Sequence, residues 1–404
     1  MNKKVLFGLI ALVLVALVVL PLCSACPKPA PPAEAKTLRI GSLVALTEWF
    51  SVFDILQDRE VRTMAQMINE AGGITIQGQK YNIELVTEDF KSSLDGTASA
   101  ANKLVYDDKV QFVVGPFGFF SSASSPIFEA NKVLHVSTWI VLMPGGLDKT
   151  TPYGFLGYHA VVGEFLGSIK AMKMVYPEVH KLAFTLPDDG AIPYLMPVIE
   201  GLAEDAGYTV IGEPVGYPNE MTDFSPIVAK LNATEDADAY FIINGIPPHI
   251  ASIVKGLREL GNAKPVIRDG NINCNDILAI AGTAAATNVM TGGITAGLPE
   301  NPPMVNEIYN RLEPQYGANT LNLENANGLY VLVQAIEEAQ SLDTTVVRDT
   351  WEKMNTIDTL FGKGYMGGEE IYGIRHSVSN PHSIQQLMDG KIISHGWVEV
   401  GPIP

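Results

Sequence analysis

From Thr37 onward, short apolar runs alternate with amphipathic stretches of helix length, and this alternation constrains the fold more than any other feature. Leu38 to Leu46 reads as a buried strand, Leu56 to Ala71 as a helix, Tyr81 to Glu88 as a strand and Thr97 to Asp107 as a helix. Gln111 to Val114, Leu134 to Ser137, Lys181 to Leu186, Thr209 to Val215, Ala239 to Ile243 and Val289 to Thr295 continue the strands. Between them, helices are expected at Glu164 to Tyr176, Tyr194 to Ala206, Ile227 to Leu231 and His249 to Leu260. Strands separated by helices build parallel βαβ units, so the chain is expected to be α/β with open, doubly wound, Rossmann-like sheets. About 370 residues of this pattern exceed what a single core holds, which predicts two such sheets. Toward the end, Pro302 to Tyr316, Glu324 to Gln340 and Thr345 to Met354 show helical periodicity, and Gly396 to Val400 reads as a last strand.

The N-terminal segment has a different character. Asn2-Lys3-Lys4 precede an uncharged apolar run from Val5 to Leu22, the layout of an export signal, with a retained signal anchor and a secreted soluble protein as the alternatives. Cys23-Ser24-Ala25-Cys26 resembles a bacterial lipobox, although Cys23 stands at −3 where leucine is usual. That resemblance implies a signal peptide over residues 1–25, cleavage before Cys26 and acylation of Cys26. At about 0.8 kcal/mol per buried methylene, more than one acyl chain makes a stable anchor. Residues 26–36, rich in proline, are expected to be an extended tether holding the folded part off a membrane. The expected location is therefore the periplasm or cell surface, membrane-anchored as a lipoprotein. No other stretch is apolar for long enough to span a bilayer.

Forty-four acidic against 27 basic residues give a formal charge of −17, without the clustered lysine and arginine that a nucleic-acid backbone rewards. Cys274 has no second thiol or nearby histidine and is expected to be a small buried apolar residue. Catalytic signatures are missing: there is no Gly-x-Ser-x-Gly elbow, no His-Glu-x-x-His helix and no Gly-x-Gly-x-x-Gly after a strand. The seven histidines show no zinc-ligand spacing, so neither an enzyme nor a metal or cofactor site is expected.

Ligands of open α/β sheets bind at the carboxyl ends of the strands. After the first strand comes Thr47-Glu48-Trp49-Phe50-Ser51-Val52-Phe53, after the third Gly115-Pro116-Phe117-Gly118-Phe119-Phe120-Ser121-Ser122, and after the fourth Ser137-Thr138-Trp139. A hydrophobic cluster beneath any one loop would account for its aromatic residues. Three such loops at one sheet edge point instead to a pocket.

Several segments carry a family resemblance. Arg39-Ile40-Gly41-Ser42-Leu43-Val44-Ala45-Leu46-Thr47, Asn69-Glu70-Ala71-Gly72-Gly73-Ile74, Gly78 to Leu85 with Asp89, Val113-Val114-Gly115-Pro116, Asp223-Phe224-Ser225-Pro226 and Asp238-Ala239 resemble, in order and spacing, type I periplasmic solute-binding proteins of the leucine/isoleucine/valine-binding family. The resemblance implies two lobes joined by three crossing strands, a small molecule trapped as the lobes close, and delivery to the membrane permease of an ABC importer by a monomeric binding protein. By the same analogy the crossings are expected near Phe155, Leu298 and Gly362, which gives one lobe of residues 37–155 plus 298–362 and another of 156–297 plus 363–404.

Departures from the family pattern bear on the ligand. The usual fourth-strand Ser-Pro-x-Ala-Thr reads Ser137-Thr138-Trp139-Ile140-Val141, and Phe119 and Phe120 displace the serine cluster after Gly-Pro. Tyr194 stands near the place of the family's tyrosine, and the ammonium-binding glutamate falls on His249. A buried ammonium needs an acid to offset its desolvation. The expected ligand is therefore a small aromatic or otherwise apolar molecule, with a carboxylate as an optional feature. Trp49, Phe50, Phe119, Phe120 and Trp139 are expected to supply walls, Ser121, Ser122, Ser137 and Thr138 hydrogen bonds, and Tyr194 and His249 contacts from the second lobe. Binding of a branched-chain or other amino acid, and a sensory receptor role, are the alternatives.

Overall fold

A computed structural model describes residues 34–138, 142, 146–188, 190–272, 274–317 and 321–404. The expected signal peptide, Cys26, most of the tether and Trp139 lie outside the described residues. Two sheets organise the fold. The N-terminal part of the first is built from β1 (Lys36–Val44), α1 (Ser51–Glu70), β2 (Ile74–Ile76), β3 (Gln79–Asp89), α2 (Leu94–Asn102), β4 (Phe112–Val114), α3 (Gly118–Ala130), β5 (Leu134–Ser137) and β6 (Gly154–Leu156). The second sheet follows with α4 (Ala160–Val175), β7 (Lys181–Pro187), α5 (Ile192–Asp205), β8 (Thr209–Val210), β9 (Val215–Tyr217), α6 (Ser225–Asn232), β10 (Ala239–Ile242), α7 (Pro247–Glu259), β11 (Val266–Asn271), α8 (Cys274–Ala281) and β12 (Val289–Gly292). The chain then returns to the first sheet through α9 (Pro303–Tyr316), α10 (Glu324–Ala339), α11 (Thr344–Trp351), β13 (Thr356–Thr359), β14 (Gly362–Gly367), α12 (Glu369–Tyr372) and β15 (Ser377–Ser379). It ends in the second with β16 (His382–Met388) and β17 (Lys391–Val398).

Strand order is β13-β14-β15-β6-β5-β4-β1-β3-β2 in the first sheet and β17-β16-β12-β11-β10-β7-β8 in the second, with β9 also along β7. The central strands of both are parallel, with Lys36 opposite Tyr81 through to Val44 opposite Asp89 in the longest pair. Successive side chains of a strand point to opposite faces, so each buried strand feeds two cores. Phe241 packs with Phe165, Phe184 and Ile199 on one face of the second sheet, while its neighbours Tyr240 and Ile242 join Ile227, Ile250 and Val254 on the other. In the first sheet, Ile40, Val114 and Val136 meet Met64, Leu329 and Trp351 beneath α1, α10 and α11. The opposite face holds Leu43, Val113, Phe50, Phe90, Phe120 and Phe128. Cys274 lies in the second sheet's core, where burial pushes its thiol up to about 12.

Between the sheets the chain passes at residues 157–159, at 293–302 and at Asn380-Pro381. The expectation of a crossing at Gly362 is corrected, because β14 lies inside the first sheet, antiparallel to both β13 and β15. Its glycines serve close packing: a Cβ on Gly364 would stand 2.6 Å from the Ser379 carbonyl oxygen. Residues 363–379 accordingly stay with the first sheet. At the first crossing the Asn327 amide donates to the Gly157 carbonyl at 2.6 Å and accepts from the Leu360 amide at 2.8 Å. A Cβ on Gly157 would come within 2.7 Å of the Gly328 Cα, so the crossing lies tight against α10.

Candidate functional site

At the carboxyl edge of the first sheet, Asp89 ends β3 and organises the loop after β1. Its carboxylate accepts from the Leu46 amide at 2.9 Å, the Lys91 amide at 2.8 Å and the Thr47 hydroxyl at 2.7 Å. Burial works against its charge, but these hydrogen bonds outweigh it and hold the carboxyl below its usual range. Ser92 donates to the Thr47 carbonyl at 2.7 Å and accepts from the Phe50 amide at 3.0 Å. With its backbone pinned in this way, the turn projects Trp49 outward at 62% exposure, its indole N–H donating to the Ser92 carbonyl at 3.1 Å.

The aromatic residues expected at this edge separate into two layers. Phe50 and Phe120, at 7% and 1% exposure, belong to the core with Phe90, and their rings lie 5.3 Å apart. Trp49 stands on Phe50 at 5.3 Å, and Phe119 meets Phe120 edge-on at 5.1 Å while remaining 48% exposed. The expected loop at Gly115–Ser122 is corrected: from Gly118 the chain is helical, and about 100° of rotation per residue sends Phe119 outward and Phe120 inward. Phe50 and Phe120 are thus a buried floor beneath the exposed rings of Trp49 and Phe119. Phe53 and Leu94, not singled out from the sequence, are exposed at the same edge.

Among the expected hydroxyls, Ser121 is buried and donates within its own helix to the Gly118 carbonyl at 2.7 Å, while Ser122 is exposed. Ser137 and Thr138 are buried at the end of β5, and neither hydroxyl has a hydrogen-bond partner among the described residues.

On the second sheet, Tyr194 is exposed in the first turn of α5. His249 departs from the expectation of a donor to the ligand. It is buried against Tyr217 and Phe224, at ring distances of 5.2 and 5.1 Å, and its Nε2 lies 3.1 Å from the Asn219 carbonyl oxygen. Burial pushes its pKa down, so the neutral ring fastens the segment after β9 to α7 within its own lobe. Beside it Asp188, Gly216, Tyr217, Pro218, Asn219 and Glu220 line a hollow of about 320 Å³ at the carboxyl ends of β7 and β9.

A charged group that the sequence reading missed sits further in. Arg268, near the end of β11, is buried; it donates to the Gly245 carbonyl at 3.1 Å and to the Asp269 carbonyl. Its guanidinium lies 3.5 Å from the Asp269 carboxylate and 4.0 Å from that of Glu164 on α4. Burial raises the pKa of Asp269, while Arg268 and the Asn244 amide oppose the shift. Glu324, buried at the start of α10, is pushed well above the carboxylate range by burial and then by Glu164, Asp54 and Glu60. Arg268-Asp269 directly follow the apolar pair Val266-Ile267, and that placement was the available signal.

Residues 37–391 match the family described as periplasmic binding protein. The chain belongs to that family. Solved structures with the same fold include the branched-chain amino acid transporter substrate binding protein LivJ from Streptococcus pneumoniae in complex with isoleucine, at 19% identity and a TM-score of 0.67, covering 90% of this chain and 99% of that one. The solute binding protein of an ABC transporter from Rhodopseudomonas palustris BisB5, in complex with 3,4-dihydroxybenzoic acid, is 18% identical, with a TM-score of 0.68 and coverage of 91% and 99%. A branched-chain amino acid ABC transporter periplasmic ligand-binding protein from Burkholderia xenovorans LB400 is 16% identical, with a TM-score of 0.71 and coverage of 90% and 96%. This periplasmic binding protein has, among the described residues, no cluster of three metal-ligating side chains and no helix long and apolar enough to cross a membrane.

Proposed function

We propose that this protein captures a small molecule between its two lobes and presents it to the membrane permease of an ABC importer, with no chemistry performed on the ligand. A ligand touching both lobes binds the closed form better than the open one, and that difference drives closure. The observation that carries the reading is the placement of large apolar side chains in solvent at carboxyl edges: Trp49, Phe53, Leu94 and Phe119 on the first sheet, Tyr194 and Ile246 on the second. Exposed apolar surface at the edge where open sheets bind ligands favours a guest with an aromatic or apolar body. Relatives of this fold bound to a dihydroxybenzoic acid and to 4-hydroxybenzoate are in keeping with that choice. Trp49, Phe119 and Tyr194 would provide the walls, and Ser122, Ser137 and Thr138 the hydroxyls.

An amino acid is the second reading, favoured by the carboxyls of Glu164 and Asp269 beside Arg268, which could meet an ammonium. We further propose export through residues 1–25 and anchoring through an acylated Cys26. A thermal-shift panel of leucine, valine, phenylalanine, benzoate and 4-hydroxybenzoate tests the ligand class. A ligand at a hundred times its Kd adds about 2.7 kcal/mol. Stabilisation by the ring-bearing compounds is expected, and a response to leucine and valine alone overturns the aromatic reading.

A further inference from the structure

Beyond β17 the chain leaves the second sheet and comes back to the first lobe, where it lies against β14 and α12. Trp397, still on β17, stacks on Phe361 of the first lobe with ring centroids 5.7 Å apart. Glu399 accepts from the Tyr365 hydroxyl of β14. The Ile403 carbonyl accepts from the Gly368 amide at 2.8 Å, and the Pro404 carbonyl from the Ile371 amide at 3.4 Å. A Cβ on Gly367 would collide with the Ile403 carbonyl oxygen, so glycine lets the tail lie close on β14 at that point. The second lobe holds the same segment: Lys170 on α4 donates to the Glu399 and Val400 carbonyls at 3.0 and 2.6 Å. Val400 and Ile403 are buried, and Ile403 belongs to one apolar cluster with Phe165 and Ile169 of α4 and Tyr372 of α12. Its Cδ1 would lie 3.2 Å from a Cβ on Gly163 of α4, and one helical turn on, Gly167 leaves room for His382. Beside these contacts, His159 of the first crossing has its Nδ1 3.0 Å from the Asn380 carbonyl oxygen of the third.

We infer that residues 399–404 are a fourth, non-covalent connection between the lobes, a strap that holds the unliganded protein toward its compact form. The inference rests on the proposed lobe closure. First-lobe attachments run from Phe361 to Ile371, past the whole of β14, which at about 3.3 Å per residue is roughly 20 Å long. Points spread over such a length cannot all lie on a hinge axis that crosses it, so a swing about that axis pulls at one end or the other. Opening then peels the tail from β14 or from α4 and brings Ile403 out of the cluster it shares with both lobes, at a cost in apolar burial. A strap of this kind raises the fraction of molecules already arranged to bind, and the apparent affinity for a bridging ligand scales with that fraction.

Deletion of residues 399–404, Gly367→Ala and Lys170→Met each undo the strap at a different place, with circular dichroism as the check on folding. By solution X-ray scattering, the radius of gyration of the unliganded protein is expected to rise in all three. Binding of a closing probe, 4-hydroxybenzoate or phenylalanine, is expected to weaken by at least about twofold, the value for a strap whose loss opens half of the molecules. Hydrogen exchange at the Gly368 amide should quicken in the same variants. If the deletion does not fold, the two point variants carry the test. Folded variants with the parent's radius overturn the inference, and a probe that still compacts the parent leaves the capture reading standing. Variants that expand while neither probe compacts the parent uphold the strap and overturn capture of these ligands by closure.

Discussion

Where the parallel strands of the first sheet end, two exposed rings, Trp49 and Phe119, stand on a buried aromatic floor of Phe50, Phe90 and Phe120. Where those of the second end, the interior is charged, with Arg268 held between Glu164 and Asp269 and two carbonyl oxygens. In the proposed function, the first edge contacts a flat apolar body through shape and area. The other holds fixed charge out of water, at a cost in desolvation that packing alone does not explain. A guest gripped by both would turn its apolar face to the first lobe and its polar end to the second.

The comparison breaks most readily at its charged side. Arg268→Met would strand two buried carboxyls and is expected to lower the unfolding free energy by about 3–5 kcal/mol, read by denaturant titration. Adding Glu164→Gln to that variant should recover part of the loss. On the aromatic side, the two layers predict opposite outcomes for adjacent residues. Phe120→Ala opens a cavity in the floor and should cost about 3 kcal/mol or somewhat more, whereas Phe119→Ala should change stability by less than about 0.5 kcal/mol and weaken ligand binding instead.

A pH series separates structural acids from the edges themselves. Burial raises Glu60 to about 8, the hydrogen bonds from Asn322 and Leu323 opposing the shift. The unfolded chain ionises near 4.5 while the folded one stays protonated, so stability declines as pH rises from there through about 8. Thermal midpoints of Glu60→Gln should show a shallower decline, with a difference on the order of 1–2 kcal/mol. The smallest effect is expected at Trp49: aromatic contacts are worth about 0.5–1.5 kcal/mol beyond area burial, so Trp49→Ala should weaken an aromatic ligand by about two- to tenfold with little change in the melting temperature.

The floor and the wall differ by one residue in sequence, which is why composition alone could not separate Phe119 from Phe120. Gly118, four serines and Pro126 obscure the helical propensity of α3, and only its burial pattern distinguishes the two rings. Parallel strands such as Ala239–Ile242 were legible because burial on both faces leaves an uninterrupted apolar run. Val266–Asn271 was missed because a buried Arg-Asp pair breaks that run, and Gly154–Leu156 because three residues carry no period. Glu164, Arg268 and Glu324 are far apart along the chain, and only the fold brings them to one place. A crossing was expected near Gly362 by analogy, but glycine also marks close backbone approach, and in Gly362–Gly367 that is what it serves.

The threefold passage between sheets also governs the order in which this molecule can be completed. Synthesis delivers β1 and β3 early, yet β13 to β15 and then β16 and β17 supply one flank of each sheet. Neither half has its full complement of strands until residues 356–398 have emerged, so a nascent or partly translocated chain remains open at both sheet margins until the last part of its length arrives.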